Sequence, residues 1–167
     1  MQTLGRVFSI NISSQKGVPK DMVKVGVLRR DHGFEGDAHA GPAGRQVSLL
    51  AIEDIEKAEA AYRASGNPES AQGFEFRPGL FAENITTEGL DLSKLRLGDR
   101  LLLGDKAVLK VTQIGKVCRQ PCSIGQRLGD CLMPKSGIFA SVETEGSASA
   151  RDTIRLIRNK SLLWLKT

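Results

Sequence analysis

The stretch Leu101-Leu102-Leu103-Gly104-Asp105-Lys106-Ala107-Val108-Leu109-Lys110-Val111-Thr112-Gln113-Ile114 reads as two strands closed by a tight turn. Gly104-Asp105-Lys106 supplies the hairpin turn. Apolar, β-branched residues run on both sides of it. Leu97-Gly98-Asp99-Arg100 is a further turn leading in. Working outward, the same short-strand rhythm recurs. Residues 6–12, Arg-Val-Phe-Ser-Ile-Asn-Ile, alternate apolar and polar as a half-buried strand does. Residues 23–28, 45–50 and 80–87 are β-prone, and 137–144 and 153–157 look like closing strands.

Only one clear helix interrupts this pattern. Ile52, Ile55, Ala58 and Tyr62 fall at helical spacing. Glu53 and Asp54 occupy the first turn, where the helix dipole favours acids. Ser65-Gly66-Asn67-Pro68 ends it. Residues 66–79 read as a long surface loop. Gly33 to Gly44 is a glycine-rich loop, and Lys16-Gly17-Val18-Pro19-Lys20 is a turn with two lysines, each read as a surface or turn feature. Many short strands, turn signals between them and one main helix argue for an antiparallel barrel or sandwich. The absence of an alternating βα rhythm disfavours a Rossmann-type sheet. At 167 residues the chain fits a single domain, with no repeat, linker or low-complexity tract.

Composition narrows the function classes. Hydrophobic residues make up 40% and charged residues 26% of the chain, which is ordinary for a globular protein. The net charge is +5 and the pI about 9.3. No basic run reaches the roughly five to eight residues of a nucleic-acid patch. The few aromatic residues are not interleaved with basic ones, so stacking on single strands has little material. A small anionic ligand suits this charge better than DNA. The start of the chain carries no apolar secretory region. No apolar run approaches the roughly 18 residues of a membrane span. Three cysteines without an export signal point to reduced thiols and a cytoplasmic location.

All three cysteines lie in one window: Cys118-Arg119-Gln120-Pro121-Cys122, then Cys131 after Gly129-Asp130. They could be small buried hydrophobes. Their neighbours are Gly, Pro, Arg, Lys and Gln rather than an apolar run. Lys116, Arg119 and Arg127 are close in sequence, and cationic neighbours lower a thiol pKa. The spacing is poor for structural zinc, and it is not the C-x-x-C of a redox pair. Beside these two, the third open role is a single thiolate that carries sulfur or ligates a soft metal such as molybdenum. The loop Gly36-Asp37-Ala38-His39-Ala40-Gly41 has two open readings. In one, Asp37 caps backbone N–H groups and His39 packs locally. In the other, the loop approaches an anion, with His39 and Arg45 as donors.

These segments together resemble the MOSC domains, named for the C-terminal domain of molybdenum-cofactor sulfurase, and within them the small stand-alone bacterial type. The resemblance runs in order through Lys16-Gly17, Gly36–Gly41, Arg45-Gln46-Val47-Ser48-Leu49-Leu50-Ala51-Ile52-Glu53 and Phe81–Gly89. It continues through Val111-Thr112-Gln113-Ile114-Gly115-Lys116 to Cys118, Gly129-Asp130-Cys131-Leu132-Met133-Pro134 and Gly137–Ala140. It implies one MOSC domain over 1–167, a mainly β fold of MOSC-type barrel with one main helix at about 51–65, and short peripheral helices. It also implies a role around the molybdenum cofactor, a pyranopterin phosphate, with Cys118 as catalytic thiol and metal ligand. Lys16, His39 and Arg45 would then hold the anionic end of the cofactor. Asn84 would meet the pterin edge with Glu83 in support, and Cys122 and Cys131 would be secondary thiols.

The partners so implied are molybdenum-cofactor biosynthesis or target enzymes and a cysteine desulfurase. The activities that fit are sulfur transfer, a molybdenum-dependent reduction of N-hydroxylated substrates with a partner electron donor, or cofactor carriage without catalysis. No nucleotide-cofactor motif is present. The chain departs from the family pattern at Arg119, where His often follows the cysteine. It departs again at Ala43-Gly44, where an aromatic or His tends to stand. The family's Gly-Asp final turn is Arg151-Asp152 here.

Overall fold

The hairpin at residues 101–114 forms because each arm finds a partner beyond the turn. In the computed structural model, which describes residues 2–66 and 75–157, β7 (Arg100–Leu103) and β8 (Ala107–Ile114) pair antiparallel, with Leu103 opposite Ala107. Gly104 takes φ +56°, the left-handed conformation the turn requires. Around this hairpin stand β1 (Gln2–Ile12), β5 (Val47–Ala51), β6 (Ile85–Glu88), β9 (Ile138–Thr144) and β11 (Thr153–Ile157). These seven strands follow the order β1-β11-β7-β8-β9-β5-β6 and return to β1, so the sheet closes into a barrel. Closure removes unpaired strand edges from the ring.

One pair in the barrel is parallel. β5 runs alongside β6, with Leu49 opposite Ile85, and α1 (Ile52–Ala64) makes the crossover between them. Parallel neighbours require such a crossover. The helix has the expected bounds almost to the residue, and its first turn carries Glu53 and Asp54. The other barrel pairs are antiparallel. The remaining strands lie outside the ring. β2 (Asp21–Val23) extends the sheet from β1, while β3 (Val25–Arg29), β4 (Gly33–Phe34) and β10 (Gly146–Ser149) form a separate three-stranded sheet. Two short helices, α2 (Ser123–Leu128) and α3 (Met133–Ser136), occupy the cysteine window. Among the described residues no helix is long and apolar enough to cross a membrane.

Two apolar cores result. The first fills the barrel, with Val7, Ile10, Leu49, Ile85, Leu101, Leu109, Val142 and Ile154 among its fully or almost fully buried members. The second joins α1 to the cysteine segment through Leu50, Ile55, Phe81, Ile124, Met133 and Phe139, with Cys122 and Cys131 packed at its margin. β5 is buried at every position because its alternate side chains serve different cores. Val47 and Leu49 face the first core, and Leu50 faces the second.

Several sequence expectations move. The 80–87 strand shortens to β6, because residues 79–82 turn sharply, with Ala82 at φ +62°. The turn expected at Leu97–Arg100 is present and leads into β7, which starts one residue early at Arg100. β1 begins at Gln2 rather than Arg6, because Gln2 to Arg6 pair with β11. The long loop expected at 66–79 lies for the most part outside the described residues.

Candidate functional site

Four loops converge on the β5–β9 side of the barrel and enclose a cleft of about 350 Å³. That is within the range of small-molecule sites. Lys16 and Gly17 come from the loop after β1, and His39 and Arg45 from the glycine-rich loop. Asn84 comes from the turn before β6, and Lys116, Cys122 and Cys131 from the segment after β8. Phe81, Met133 and Phe139 supply an apolar wall from the second core. The loops hold one another in place. Ser123 Oγ donates to the Gly17 carbonyl at 2.5 Å. Gly17, at φ +73°, brings its backbone close to Cys122, where a Cβ would stand 3.5 Å from the cysteine's own. Thr112 Oγ1 lies within hydrogen-bond reach of the carbonyls of Gly44 and Phe139 and shares its one hydrogen between them.

The cationic side chains of this cleft lack carboxylate partners. Among the described residues Lys16, Arg45 and Lys116 form no ion pair; the Arg45 guanidinium instead lies 5.9 Å from the Phe139 ring centroid. The nearest acid is already taken. Asp37 is fully buried as a side chain and holds the equally buried Lys20 ammonium at 2.5 Å. It also accepts the backbone N–H groups of Ser13 (3.1 Å) and His39 (3.0 Å), so the capping role read from sequence is real. Burial works against its ionised form, but the nearby His39 side chain, the Lys20 ammonium and the Ser13 N–H together hold its carboxyl well below the ordinary carboxylate range. Lys20, expected at the surface or in a turn, is instead one of the most buried residues of the protein. Its sequence context of Pro19 and Asp21 gave no sign of this. The signal lay in Asp37, a carboxylate in a glycine-rich loop that needed a cation.

Asn84 is largely committed to structure. Its Oδ1 accepts from the backbone N–H and the hydroxyl of Ser48 (3.1 and 3.2 Å), and its Nδ2 donates to the Asn11 carbonyl (3.3 Å). One amide hydrogen is left for a ligand. Glu83 is not at the cleft surface. Fully buried, it accepts from the backbone of Gly79 (2.6 Å) and Phe81 (3.1 Å) and from the Thr86 hydroxyl (2.8 Å). Burial pushes its carboxyl above the ordinary range while these donors pull it down. Glu83 thereby fixes the turn that carries Ala82 in its left-handed conformation beside the cleft. Strained backbone persists where surrounding bonds over-determine it.

The three thiols are reduced and differ in setting. Cys118 is exposed and is not among the residues lining the cleft. Cys122 and Cys131 are half-buried and line it. Cys122 precedes α2 without its side chain capping the helix. The charges of Cys122 and Cys118 act to raise the Cys131 thiol pKa, and that of Lys116 to lower it. The basic neighbours do not lower the pKa of Cys131 as expected from sequence. Burial pushes its thiol up, and outweighs Lys116. Among the described residues no three His, Cys, Asp or Glu side chains are arranged to hold a metal ion.

Three other hollows among the described residues are larger; one of about 410 Å³, beside the Arg6–Glu88 pair, holds no thiol, and the two of about 450 and 520 Å³ differ in chemistry as well. Their lysines are paired: Lys57 lies 4.0 Å from Asp54, and Lys135 lies 2.7 Å from Asp130. Neither contains a thiol. Unpaired cations and thiols therefore single out the smaller cleft.

Comparison with known proteins agrees with this architecture. The family model of the MOSC domain matches residues 35–155. The solved structure of the YuaD protein from Bacillus subtilis is similar at 20% identity and a TM-score of 0.71, covering 91% of this chain and 94% of that one. YiiM from Escherichia coli is similar at 23% identity and a TM-score of 0.62, covering 95% of this chain and 71% of its own. YiiM from Geobacillus stearothermophilus gives 23% identity and a TM-score of 0.64, with coverages of 92% and 75%. At these identities the likeness is one of fold. No curated protein sequence matches the chain.

Proposed function

The chain belongs to the MOSC domain family, which is associated with molybdenum-cofactor binding and sulfurase-like functions, and on that premise we propose that its cleft binds an anionic pyranopterin species and handles sulfur or metal there through cysteine thiols. The observation that carries this reading is the meeting of Lys16, Arg45 and Lys116, without carboxylate partners among the described residues, with Cys122 and Cys131 in one cleft. Unpaired cations at a concave surface favour an anion. A thiolate is the ligand that a soft metal or a transferable sulfur requires.

The residues present fit such a group. Arg45, whose guanidinium lies 5.9 Å from the Phe139 ring centroid, would hold a phosphate, with Lys16 and Lys116 adding charge and His39 a further polar contact. The remaining amide hydrogen of Asn84 would meet a polar edge of the ring system. When bound, the cofactor supplies a metal centre that accepts sulfur. Glu83 acts from behind, by holding the turn.

The exposed Cys118 is the entry point for sulfur. Its thiolate attacks the terminal sulfur of a donor persulfide, such as that of a cysteine desulfurase. The donor S–S bond breaks, a bond to Cys118 Sγ forms, and the donor leaves as a thiolate. The same exchange from Cys118 to a cleft thiol moves the sulfur inward and returns Cys118 as thiolate. Burial disfavours the thiolate at Cys131.

The test is metal and pterin analysis of protein purified from a cofactor-producing host. Wild type is expected to retain both, and Arg45→Ala roughly tenfold less or lower still, as loss of a charge-assisted hydrogen bond implies. Incubation with a cysteine desulfurase adds one sulfur to the intact mass of wild type, and Cys118→Ser abolishes the gain. If Cys118→Ser changes neither sulfur loading nor metal retention, the role given to Cys118 is wrong.

A further inference from the structure

His39 reaches the cleft with its side chain about a third exposed, 37%, whereas Lys20 behind it is completely buried. Nζ of Lys20 lies 2.5 Å from Oδ1 of Asp37 and 3.1 Å from Nδ1 of His39. Oδ2 of Asp37 is 3.7 Å from the same Nδ1, beyond hydrogen-bond reach, and receives the His39 backbone N–H. Among the described residues, the Lys20 ammonium is therefore the polar group within hydrogen-bond distance of this ring nitrogen, with the Asp37 carboxylate farther off.

An ammonium has three donors and no acceptor. It can bond to Nδ1 only if that nitrogen offers a lone pair, and a neutral imidazole with a lone pair at Nδ1 carries its proton on Nε2. Burial pushes the Lys20 ammonium below its ordinary value, while the Asp37 carboxylate and the charge of Glu83 oppose that shift; the 2.5 Å contact between Nζ and Asp37 Oδ1 is that of an ammonium on a carboxylate. We propose that Lys20 is a positioning residue that locks His39 in the Nε2–H tautomer. His39 then faces the cleft as a hydrogen-bond donor and not as a lone pair. At that point the cleft accepts an oxygen or sulfur acceptor of an anionic ligand, and His39 is unavailable as a metal ligand through Nε2. The tautomer lock stands independently of the proposed function; what the donor meets rests on that reading.

The measurement is the proton-detected ¹⁵N spectrum of the histidine rings in the full chain, at a pH where the rings are neutral. His39→Gln separates the His39 signals from those of His32. In wild type, Nδ1 of His39 is expected to resonate as an unprotonated nitrogen and Nε2 as a protonated one, without averaging. Lys20→Met is expected to shift both toward the averaged values of a tautomer mixture, a change that loss of packing alone would not produce. Wild-type signals already averaged, or a proton on Nδ1, would overturn the lock, and this outcome is readable even if Lys20→Met does not fold. Inorganic pyrophosphate is then added to wild type. A shift at Nε2 with Nδ1 unchanged supports donation into the cleft. An unmoved Nε2 in a locked ring removes the anion as its partner while leaving the tautomer assignment intact.

Discussion

Asp37 and Glu83 are two buried carboxylates whose environments push them in opposite directions. Asp37, held by Lys20 and two backbone N–H groups, titrates below its ordinary value near 3.8. Its contribution to stability is therefore present above that pH and lost as pH falls below it. Glu83 is raised above its ordinary value near 4.5 by burial. Its contribution has the reverse sign: present below about that pH and lost as pH rises through the folded value. Asp37→Asn should flatten the acid limb of a stability-versus-pH curve, and Glu83→Gln should steepen it, as read by urea unfolding between acid and neutral pH. Both variants should also be less stable at neutral pH. Breaking the Asp37–Lys20 pair leaves an uncompensated buried charge, at a cost of about 3–5 kcal/mol. Glu83→Gln sets an amide donor against backbone donors, at about 1–3 kcal/mol.

At the scale of elements, the cleft depends on turns that only certain residues can make. Gly79 has φ +86°, and a Cβ there would stand 2.2 Å from the Lys20 carbonyl, whose strand end it brackets. Gly36 has a similar φ, +79°, but open space around it. Gly79→Ala should therefore lower the melting temperature far more than Gly36→Ala, which bears only the left-handed penalty of roughly 1–2 kcal/mol. Equal losses would show that the close approach is not tight in solution. The opposite case is Arg151, a non-glycine residue at φ +75° in the turn between β10 and β11. This is where the chain departs from the family's Gly-Asp. The turn survives because Asp152 Oδ2 accepts the Ser149 N–H at 2.8 Å and the Arg151 N–H reaches the Val7 carbonyl. Arg151→Gly should relieve the left-handed strain and stabilise the protein by about 0.5–1 kcal/mol, measurable as a rise in the midpoint of thermal unfolding.

For the molecule as a whole, the consequence of barrel closure is that no strand of the ring is a free edge. The seam is formed by Gln2 to Arg6 of β1 against β11. Backbone amides on both sides of that seam should exchange with solvent as slowly as those of the β8–β9 pair; fast exchange confined to the seam would mean an open sheet. Ile154, fully buried in the barrel beside this seam, should cost about 2–5 kcal/mol on truncation to Ala, in line with other large-to-small core changes. The cleft sits where the barrel meets the second core, so a barrel variant should lose ligand binding only together with the fold.

Local pattern in the sequence determined the hairpin at 101–114, the helix after β5 with its acidic first turn, the strand-rich class and the clustering of thiols, because each of these rests on periodicity or turn chemistry within a few residues. Asp37 as a cap was legible for the same reason. The tertiary structure alone decided that Lys20 is buried against Asp37 and His39, that Glu83 works behind the cleft, and that Cys122 and Cys131 line it while Cys118 stays exposed. It also decided the one parallel pair, β5 with β6, and the extension of β1 to Gln2. These outcomes depend on contacts between segments tens of residues apart. Burial and partner charge then set what each side chain can do, and neither can be read from a residue's immediate neighbours.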